Sequence, residues 1–458
     1  MNDFSLLAIS PIDGRYYKNT RRLKKIFSEY AFFKFRVKIE IKWLQKLSSI
    51  SEVLELPALT TKNVQILNNI IDNFNFNDAK EIKNIEKITN HDIKSIEYFL
   101  KKKISEKIID YKNIINFIHF SCTSEDINNL AYAYMMKISK IDILLPYWSK
   151  ILITLKSMAK DFKNISMLSR THGQPATPST LGKEIINFYY RLYRQFKQLK
   201  KINILGKFNG ATGNYNAHII AYPLINWKKV SEEFVTSLGF HWNPYTTQIE
   251  PHDYISEIFS CICRFNTILI NLNQDFWGYI SLNYFIQKNR KNEVGSSTMP
   301  HKINPIDFEK SEGNLGLSNA IMNHMISKLP ISRWQRDLSD STVLRNIGIA
   351  IGYSMISYDA ILSGLQNIQV NNIKIKEDLY NQWQLLSEPI QTVMRRFGIS
   401  DSYEQLKKLT RGNNINFQDI HKYIDNLTIP KKEKKILKQI TPMNYIGDAI
   451  NIVQNICN

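Results

Sequence analysis

The sequence predicts an all-α protein in three domains, organised around a bundle of long central helices. Ile255, Ile258, Phe259, Ile262, Phe265, Leu269, Leu272, Phe276 and Ile280 recur every three or four residues, and residues 252–299 contain no proline. That pattern is one apolar-faced helix of ~30 residues, ~45 Å long, more than a compact domain covers by itself. Helices of this length pack side by side in bundles, often across subunits. The second observation is negative: no period-two strand series, glycine-rich phosphate loop or internal repeat interrupts the helical spacing. The third is a change of texture near residue 368, after which Pro389, Gly398, Gly412, Pro430 and Pro442 divide the chain into short helices. The expected domains are therefore 1–118, 119–367 and 368–458.

Taken in order, residues 1–20 read as an irregular arm in which Pro11-Ile12-Asp13-Gly14 turns and presents Arg15 and Tyr16. A first helix is expected over about 21–48, a second opening at Pro57 and a third over about 78–104. Thr89-Asn90-His91-Asp92 reads equally as a helix start or a break. After the loop His119–Ser124, Thr123 or Ser124 can cap a helix, with Glu125 and Asp126 complementing its dipole. That helix is expected to reach about 163 with a kink at Pro146. The polar loop Ser169–Pro178 leads into a helix near 180–205, and the long helix comes next. Later helices are expected near 306–328 and 333–345, then one to about 367.

With 458 residues and 43% hydrophobic content the chain can bury a large core, which excludes wholesale disorder. Lys+Arg 60 against Asp+Glu 41 gives +19, a balance that suits an anionic partner. The lysines are scattered along presumptive helix faces, so they read as solvated surface rather than a nucleic-acid track. Cys122, Cys261, Cys263 and Cys457 form no metal pattern, and without a secretory signal a reduced, cytoplasmic setting is expected. No uninterrupted apolar run reaches the ~18 residues that span a bilayer, so no membrane partner is expected.

Three polar stretches lie at the ends of long helices: 119–124, 169–178 and 293–305. In the last, Gly295-Ser296-Ser297-Thr298-Met299-Pro300-His301-Lys302-Ile303-Asn304-Pro305, the glycine and two prolines forbid helix, so hydroxyls, an imidazole and an ammonium sit on a non-helical segment between rigid supports. The same stretch also reads as a simple connection, with Asn304 as N-cap, Pro305 at the first helical position and Asp307 and Glu309 at the positive end of the dipole. His172 is the best acid–base candidate, beside hydroxyls and Gln174; the other reading is a loop histidine bonded to backbone. His91 and His119 share that ambiguity, whereas His218, His241, His252, His324 and His421 have no comparable polar setting and receive no role. Arg333, Arg336 and Arg345 flank Asp337, Asp340, Ser341 and Thr342, either as an anion clamp or as a solvated, ion-paired helix. No H-x-x-x-H or carboxylate–histidine helix pair suggests a metal.

The pattern Gly295-Ser296-Ser297-x-Met299-Pro300-x-Lys302-x-Asn304-Pro305 resembles the signature of the fumarase/aspartase superfamily, whose members eliminate fumarate from succinyl compounds. His301-Lys302, Ser169–Pro178, Asn90-His91-Asp92, Thr123-Ser124-Glu125-Asp126 and Arg336-Asp337 through Ser341-Thr342-Val343-Leu344-Arg345 are similar to the adenylosuccinate lyase family, in its bacterial branch. The likeness runs from Ser10-Pro11-x-Asp13-Gly14-Arg15-Tyr16 to the C-terminal part; the departures are confined to surface-like positions, and Gln287–Asn292 is unusually basic and Asn-rich.

The resemblance implies β-elimination of fumarate from adenylosuccinate and from the succinylated aminoimidazole carboxamide ribotide (SAICAR) in purine synthesis. It implies Ser296 as base, His172 as acid and Glu309 as the group orienting His172. Physics alone does not separate Ser296 from Ser297 as the base. Arg15, Tyr16, Asn90, His91, Asp92, Thr123, Ser124, Gln248, Ser297, Lys302, Asn304, Arg336, Ser341, Thr342, Val343, Leu344 and Arg345 would bind the substrate. A homotetramer with sites shared between subunits is implied, with succinyl-purine nucleotides as the small-molecule partners and no cofactor, metal or nucleic acid. The rival readings are a sister lyase such as one acting on argininosuccinate, a basic nucleic-acid-binding helical protein, and a helical scaffold without catalysis.

Overall fold

Helices dominate the chain, and several of them start where a side chain supplies the missing hydrogen bond. The computed structural model describes residues 3–109, 111–288, 295, 297–413 and 415–457. Contacts divide the chain into two units. One comprises Met1–Trp148, Gln195–Thr267 and Gly313–Asp359; the other comprises Ser149–Arg194, Ile268–Glu312 and Ala360–Asn458.

In the first unit the expected helix over 21–48 is interrupted. A short 3-10 turn (Arg21–Leu23) and one helical turn (Lys24–Phe27) end at Ser28, whose extended backbone begins α1 (Glu29–Leu47). The Ser28 hydroxyl accepts the Ala31 N–H at 3.2 Å, the cap that makes the break stable. Pro57 opens no helix. α2 (Thr61–Asp72) starts four residues later, where the Thr60 hydroxyl accepts from the Asn63 N–H. The expected third helix is two, α3 (Phe76–Thr89) and α4 (Asp92–Lys107), because Asn90 turns into the left-handed region (φ 50°) and His91 caps α4. Thr89–Asp92 is thus both a stop and a start.

α5 (Ser124–Ile138) passes into α6 (Leu145–Asp161) through a π-helical segment, Ser139–Leu144, rather than a simple proline kink. Pro146 has no N–H for the Asp142 carbonyl and its ring presses on that turn. The wider winding accommodates the ring, with the Leu145 N–H reaching the Lys140 carbonyl. The orphaned Asp142 carbonyl accepts from Arg22 Nη2 at 3.2 Å.

Five helices have residues in both units: α6, α7 (Leu181–Lys201), α9 (Asp253–Ser281), α10 (Ile306–Lys328) and α11 (Ile347–Gln366); α8 (Trp227–Ser237) lies in the first alone. α9 is the expected long helix, at 29 residues. In the first unit the buried Asn266 on α9 joins α10 and α11. Its Nδ2 donates to Ser354 Oγ at 3.0 Å, its Oδ1 accepts from Tyr358 at 2.7 Å, and Ser318 and Ser354 share a bond of 2.7 Å. Phe265 stacks on Trp148 with centroids 3.7 Å apart. In the second unit Asn273 donates to Ser311 Oγ, and Phe276 stacks between Phe285 and Phe308. Windows of α9 and of Ser339–Gln366 reach mean hydropathies of 1.3 and 1.2, with 67% of each buried inside the protein, so the residue run counted in the sequence understates their apolarity. These are core helices.

The expected polar loop over 169–178 is a β-hairpin. β1 (Ser166–Thr171) and β2 (Gln174–Thr180) are antiparallel, with Thr171 opposite Gln174. His172 (φ 52°) and Gly173 (φ 74°) form a two-residue turn with both residues at positive φ, the twist that suits a tight hairpin. Of the expected helix over 333–345 only Ser339–Leu344 forms. α10 begins at Ile306, one position after Pro305, whose carbonyl accepts from the Phe308 and Glu309 N–H groups. Asn304 is therefore not the cap: its Nδ2 donates back to the Gly295 carbonyl at 2.9 Å. Beyond α11 the helices are short, and Leu386, Ile390, Met394, Leu406, Ile420, Ile424 and Leu437 form a separate buried cluster. Pro389 does not break the helix Ser387–Arg396; it sits in its first turn, where a missing N–H costs nothing.

Candidate active site

α1 carries the origin of the site in the first unit. Phe33, Val37 and Leu44 are its buried stripe, and Arg36 and Glu40 fall on the same stripe, 3% and 1% exposed. A charge in that position must be paired. Arg36 Nη2 binds Asp92 Oδ2 at 2.6 Å, and its Nε donates to Asn128 Oδ1 at 2.9 Å. Asn128 Nδ2 donates to Glu125 Oε1 at 2.8 Å, and the same oxygen meets Arg336 Nη1 at 2.8 Å. Arg336 reaches on to Gln248 Oε1 and Ser341 Oγ, both at 3.4 Å. The chain of bonds continues through Asp340, whose Oδ1 accepts the Ser341 N–H at 2.6 Å and whose Oδ2 lies 3.4 Å from His252 Nε2.

Four expected substrate contacts thus share one network: Asp92, Arg336, Gln248 and Ser341. Burial opposes ionisation of Asp92, but the Arg36 guanidinium overrides it and holds the carboxyl below its usual range. Burial likewise opposes the Asp340 carboxylate, and His252 with Arg336 outweighs it. Asp92, Leu344 and Arg345 also line one cleft of about 330 Å³, together with Arg36, Phe32 and Tyr132.

Thr123 and Ser124 stand at the start of α5, next to Glu125 in the network. Their loop is held by the buried Asp126, which binds Lys207 Nζ at 2.9 Å and accepts the Thr123, Asn209 and Gly210 N–H groups. Asn90 supplies the left-handed cap. His91 Nδ1 accepts the Lys94 N–H at 3.1 Å, which puts the ring proton of the neutral form on Nε2, facing outward on an exposed side chain. Arg15 and Tyr16 lie on the expected turn, closed by Gly14 N–H to Ser10 O at 2.9 Å and Tyr16 N–H to Pro11 O at 2.8 Å; Arg15 is exposed and stands apart from the network. Thr342 is exposed and Val343 half-buried.

In the second unit His172 projects from the hairpin tip, exposed, and its ring makes no hydrogen bond among the described residues. The backbone-tied alternative for this histidine is not seen. Arg170 pairs with Asp378 at 3.7 Å at the hairpin's flank. Glu309 accepts from Trp277 Nε1 at 3.1 Å rather than from His172. In the signature loop the Lys302 N–H bonds the Met299 carbonyl at 3.0 Å and Gln287 Nε2 donates to the Ile303 carbonyl at 3.0 Å. Ser297 and Lys302 are exposed and Asn304 half-buried. Ser296 lies outside the described residues, as does most of the basic stretch before it. Among the described residues no cluster of three or more His, Cys, Asp or Glu could hold a metal ion.

Sequence reasoning missed Arg36, Asn128 and the role of Glu125. The available signal was a charge in register with Phe33 and Val37 on an apolar face. It also dismissed His252 for want of a polar setting, whereas His252 is buried at φ 64° between Glu250 and Asp340. His119, left ambiguous, is paired with the buried Glu40 at 2.7 Å.

Residues 14–319 match the lyase family model and residues 332–446 match that of the adenylosuccinate lyase C-terminal region. Over 455 residues, 99% of each chain, the sequence is 60% identical to an adenylosuccinate lyase of Buchnera aphidicola subsp. Acyrthosiphon pisum. It is 55% identical over 452 residues, again 99% of each, to that of Escherichia coli K12. The fold is that of a fumarate lyase from Mesorhizobium sp. BNC1 (TM-score 0.76, 15% identity, 95% of this chain and 97% of that one). A 3-carboxy-cis,cis-muconate lactonizing enzyme from Pseudomonas putida shares it too (TM-score 0.74, 16% identity, 95% and 96%). The full-length identity, the two matching family models and the shared lyase fold together make this chain a member of the adenylosuccinate lyase family.

Proposed function

We propose that this chain cleaves adenylosuccinate to AMP and fumarate, and SAICAR to AICAR and fumarate. The observation that carries the reading is the 55–60% identity along the whole length to adenylosuccinate lyases. In the elimination a base removes the proton from the carbon beside one succinyl carboxylate. The electron pair becomes the fumarate double bond as the C–N bond breaks, and an acid protonates the departing nitrogen. Positioned acid–base groups supply ~10²–10⁴-fold each, so charge stabilisation of the carbanion-like intermediate must supply much of the rest.

Ser296 is the proposed base and His172 the proposed acid, oriented by Glu309. The ring of His172, exposed and without a hydrogen bond among the described residues, on a two-residue turn supports that role. Lys302, with exclusion of water when the signature loop closes, would favour the serine alkoxide. Arg15, Tyr16, Asn90, His91, Asp92, Thr123, Ser124, Gln248, Ser297, Asn304, Arg336, Ser341, Thr342, Val343, Leu344 and Arg345 are proposed to hold phosphate, base and succinyl carboxylates. The working assembly is a cytoplasmic homotetramer with shared sites, each chain divided functionally at about residues 118 and 367. An ultraviolet assay of purified protein tests the activity: adenylosuccinate should yield AMP and fumarate. Cleavage of argininosuccinate with adenylosuccinate untouched would overturn the assignment.

A further inference from the structure

The bond chain running inward from the substrate-facing residues of the first unit has two wet ends and a dry middle. Asp92 and Arg336 retain 34% and 18% of their side-chain exposure, whereas Arg36 retains 4% and Glu125 3%. Asn128, between them, is buried as well. The charges alternate: carboxylate, guanidinium, neutral amide, carboxylate, guanidinium. A core gains little stability from such a chain that apolar side chains would not match, because desolvation consumes most of the attraction. What the chain does supply is geometry. Asn128 accepts from Arg36 with its oxygen and donates to Glu125 with its nitrogen, so its amide has one productive orientation. The Arg36 guanidinium is further fixed 3.8 Å over the Phe32 ring. Glu125 uses one oxygen for both Asn128 and Arg336.

We propose that Arg36, Asn128 and Glu125 are positioning residues, a buried relay that locks Asp92 and Arg336 at a fixed separation for the substrate. The inference rests on the adenylosuccinate reading above. None of the three needs to touch the substrate: Arg36 acts through Asp92, Glu125 through Arg336, and Asn128 ties the two halves together.

The test is a double-mutant cycle on purified enzyme, with kcat and KM for adenylosuccinate measured for wild type, Asn128→Ala, Arg336→Lys and the double variant. Loss of ground-state positioning appears in KM, whereas a merely structural defect lowers the active fraction and hence kcat. Asn128→Ala should raise KM about tenfold with kcat within threefold. In the Arg336→Lys background the same change should raise KM less than threefold, because the coupled residues no longer act as a unit. A KM within twofold of wild type for Asn128→Ala, a loss confined to kcat, or effects that simply multiply in the double variant would overturn the relay. If Asn128→Ala does not fold, Arg36→Lys takes its place in the cycle. It keeps the charge opposite Asp92 but lacks the fork that reaches Asn128 as well, and multiplying effects there overturn the relay equally. Wild type that fails to cleave adenylosuccinate sinks the parent assignment and the relay with it; active wild type with an unaltered variant sinks the relay alone.

Discussion

His218 is fully buried among the rings of Trp43, Tyr215 and Trp227, and neither ring nitrogen has a hydrogen-bond partner among the described residues. Burial pushes its pKa down to about 4; Asp126 opposes the shift and Lys207 adds to it. The folded value lies below the ordinary 6.5, so the neutral ring contributes its full stability above pH 6.5. That contribution is lost as pH falls from 6.5 toward 4. The slope is about 1.4 kcal/mol per pH unit, or about 2 kcal/mol by pH 5. In urea unfolding, wild type should therefore lose about 2 kcal/mol more between pH 7 and 5 than His218→Phe does. Equal losses would refute the account. His119 has the opposite sign. Burial opposes its charge, the Glu40 carboxylate prevails and its pKa is raised, so that pair stabilises below the ordinary histidine value and weakens as pH rises through the folded one. Neither environment was legible in the sequence, where both residues are histidines near aromatic and polar neighbours. Which rings and carboxylates surround a histidine depends on elements far away in the chain.

Among the elements, the long helices were the most legible, because a 3.6-residue period is written locally. Their ends were less so. Ser28 and Asn90 stop helices with a cap and a left-handed turn inside otherwise continuous periodicity, and such breaks compete with propensity on a scale of ~1 kcal/mol. The hairpin 166–180 was misread because its strands, rich in Ser, Thr and Pro, carry no alternating apolar residues, and its turn, His172-Gly173, looks like any polar loop until both residues adopt positive φ. The packing of that hairpin's successor helix is testable. At Gly182, near the start of α7, an added Cβ would lie 2.4 Å from the Ala159 carbonyl oxygen of α6 and 2.6 Å from the Lys163 backbone. Gly182→Ala must therefore force the two backbones apart. We expect a loss of about 2 kcal/mol or more in stability, seen as a lowered melting temperature. A melt unchanged within a degree would show that the close approach is not maintained in solution.

For the whole molecule, the proposed catalytic groups and the proposed assembly are tested together. Ser296→Ala and His172→Ala should each reduce turnover about a hundredfold or more while leaving the oligomer's size unchanged by gel filtration, since the acid–base steps they carry are worth ~10²–10⁴ each. Near-normal activity in either variant would remove that residue from the mechanism. Mixing the two inactive proteins under subunit exchange should restore part of the activity if neighbouring chains complete each other's sites, and no recovery would argue for self-contained sites. The sequence by itself determined the all-α class, the 29-residue helix and the signature residues from Gly295 to Pro305, because each is a property of near neighbours. Only the tertiary structure decided that Arg36 meets Asp92, 56 positions away, and Asn128, 92 positions away, or that His252 faces Asp340. Those pairings depend on which helix faces are buried against each other. A charge on an apolar face announces that a partner is required, but its identity is set when packing brings distant segments within hydrogen-bond reach.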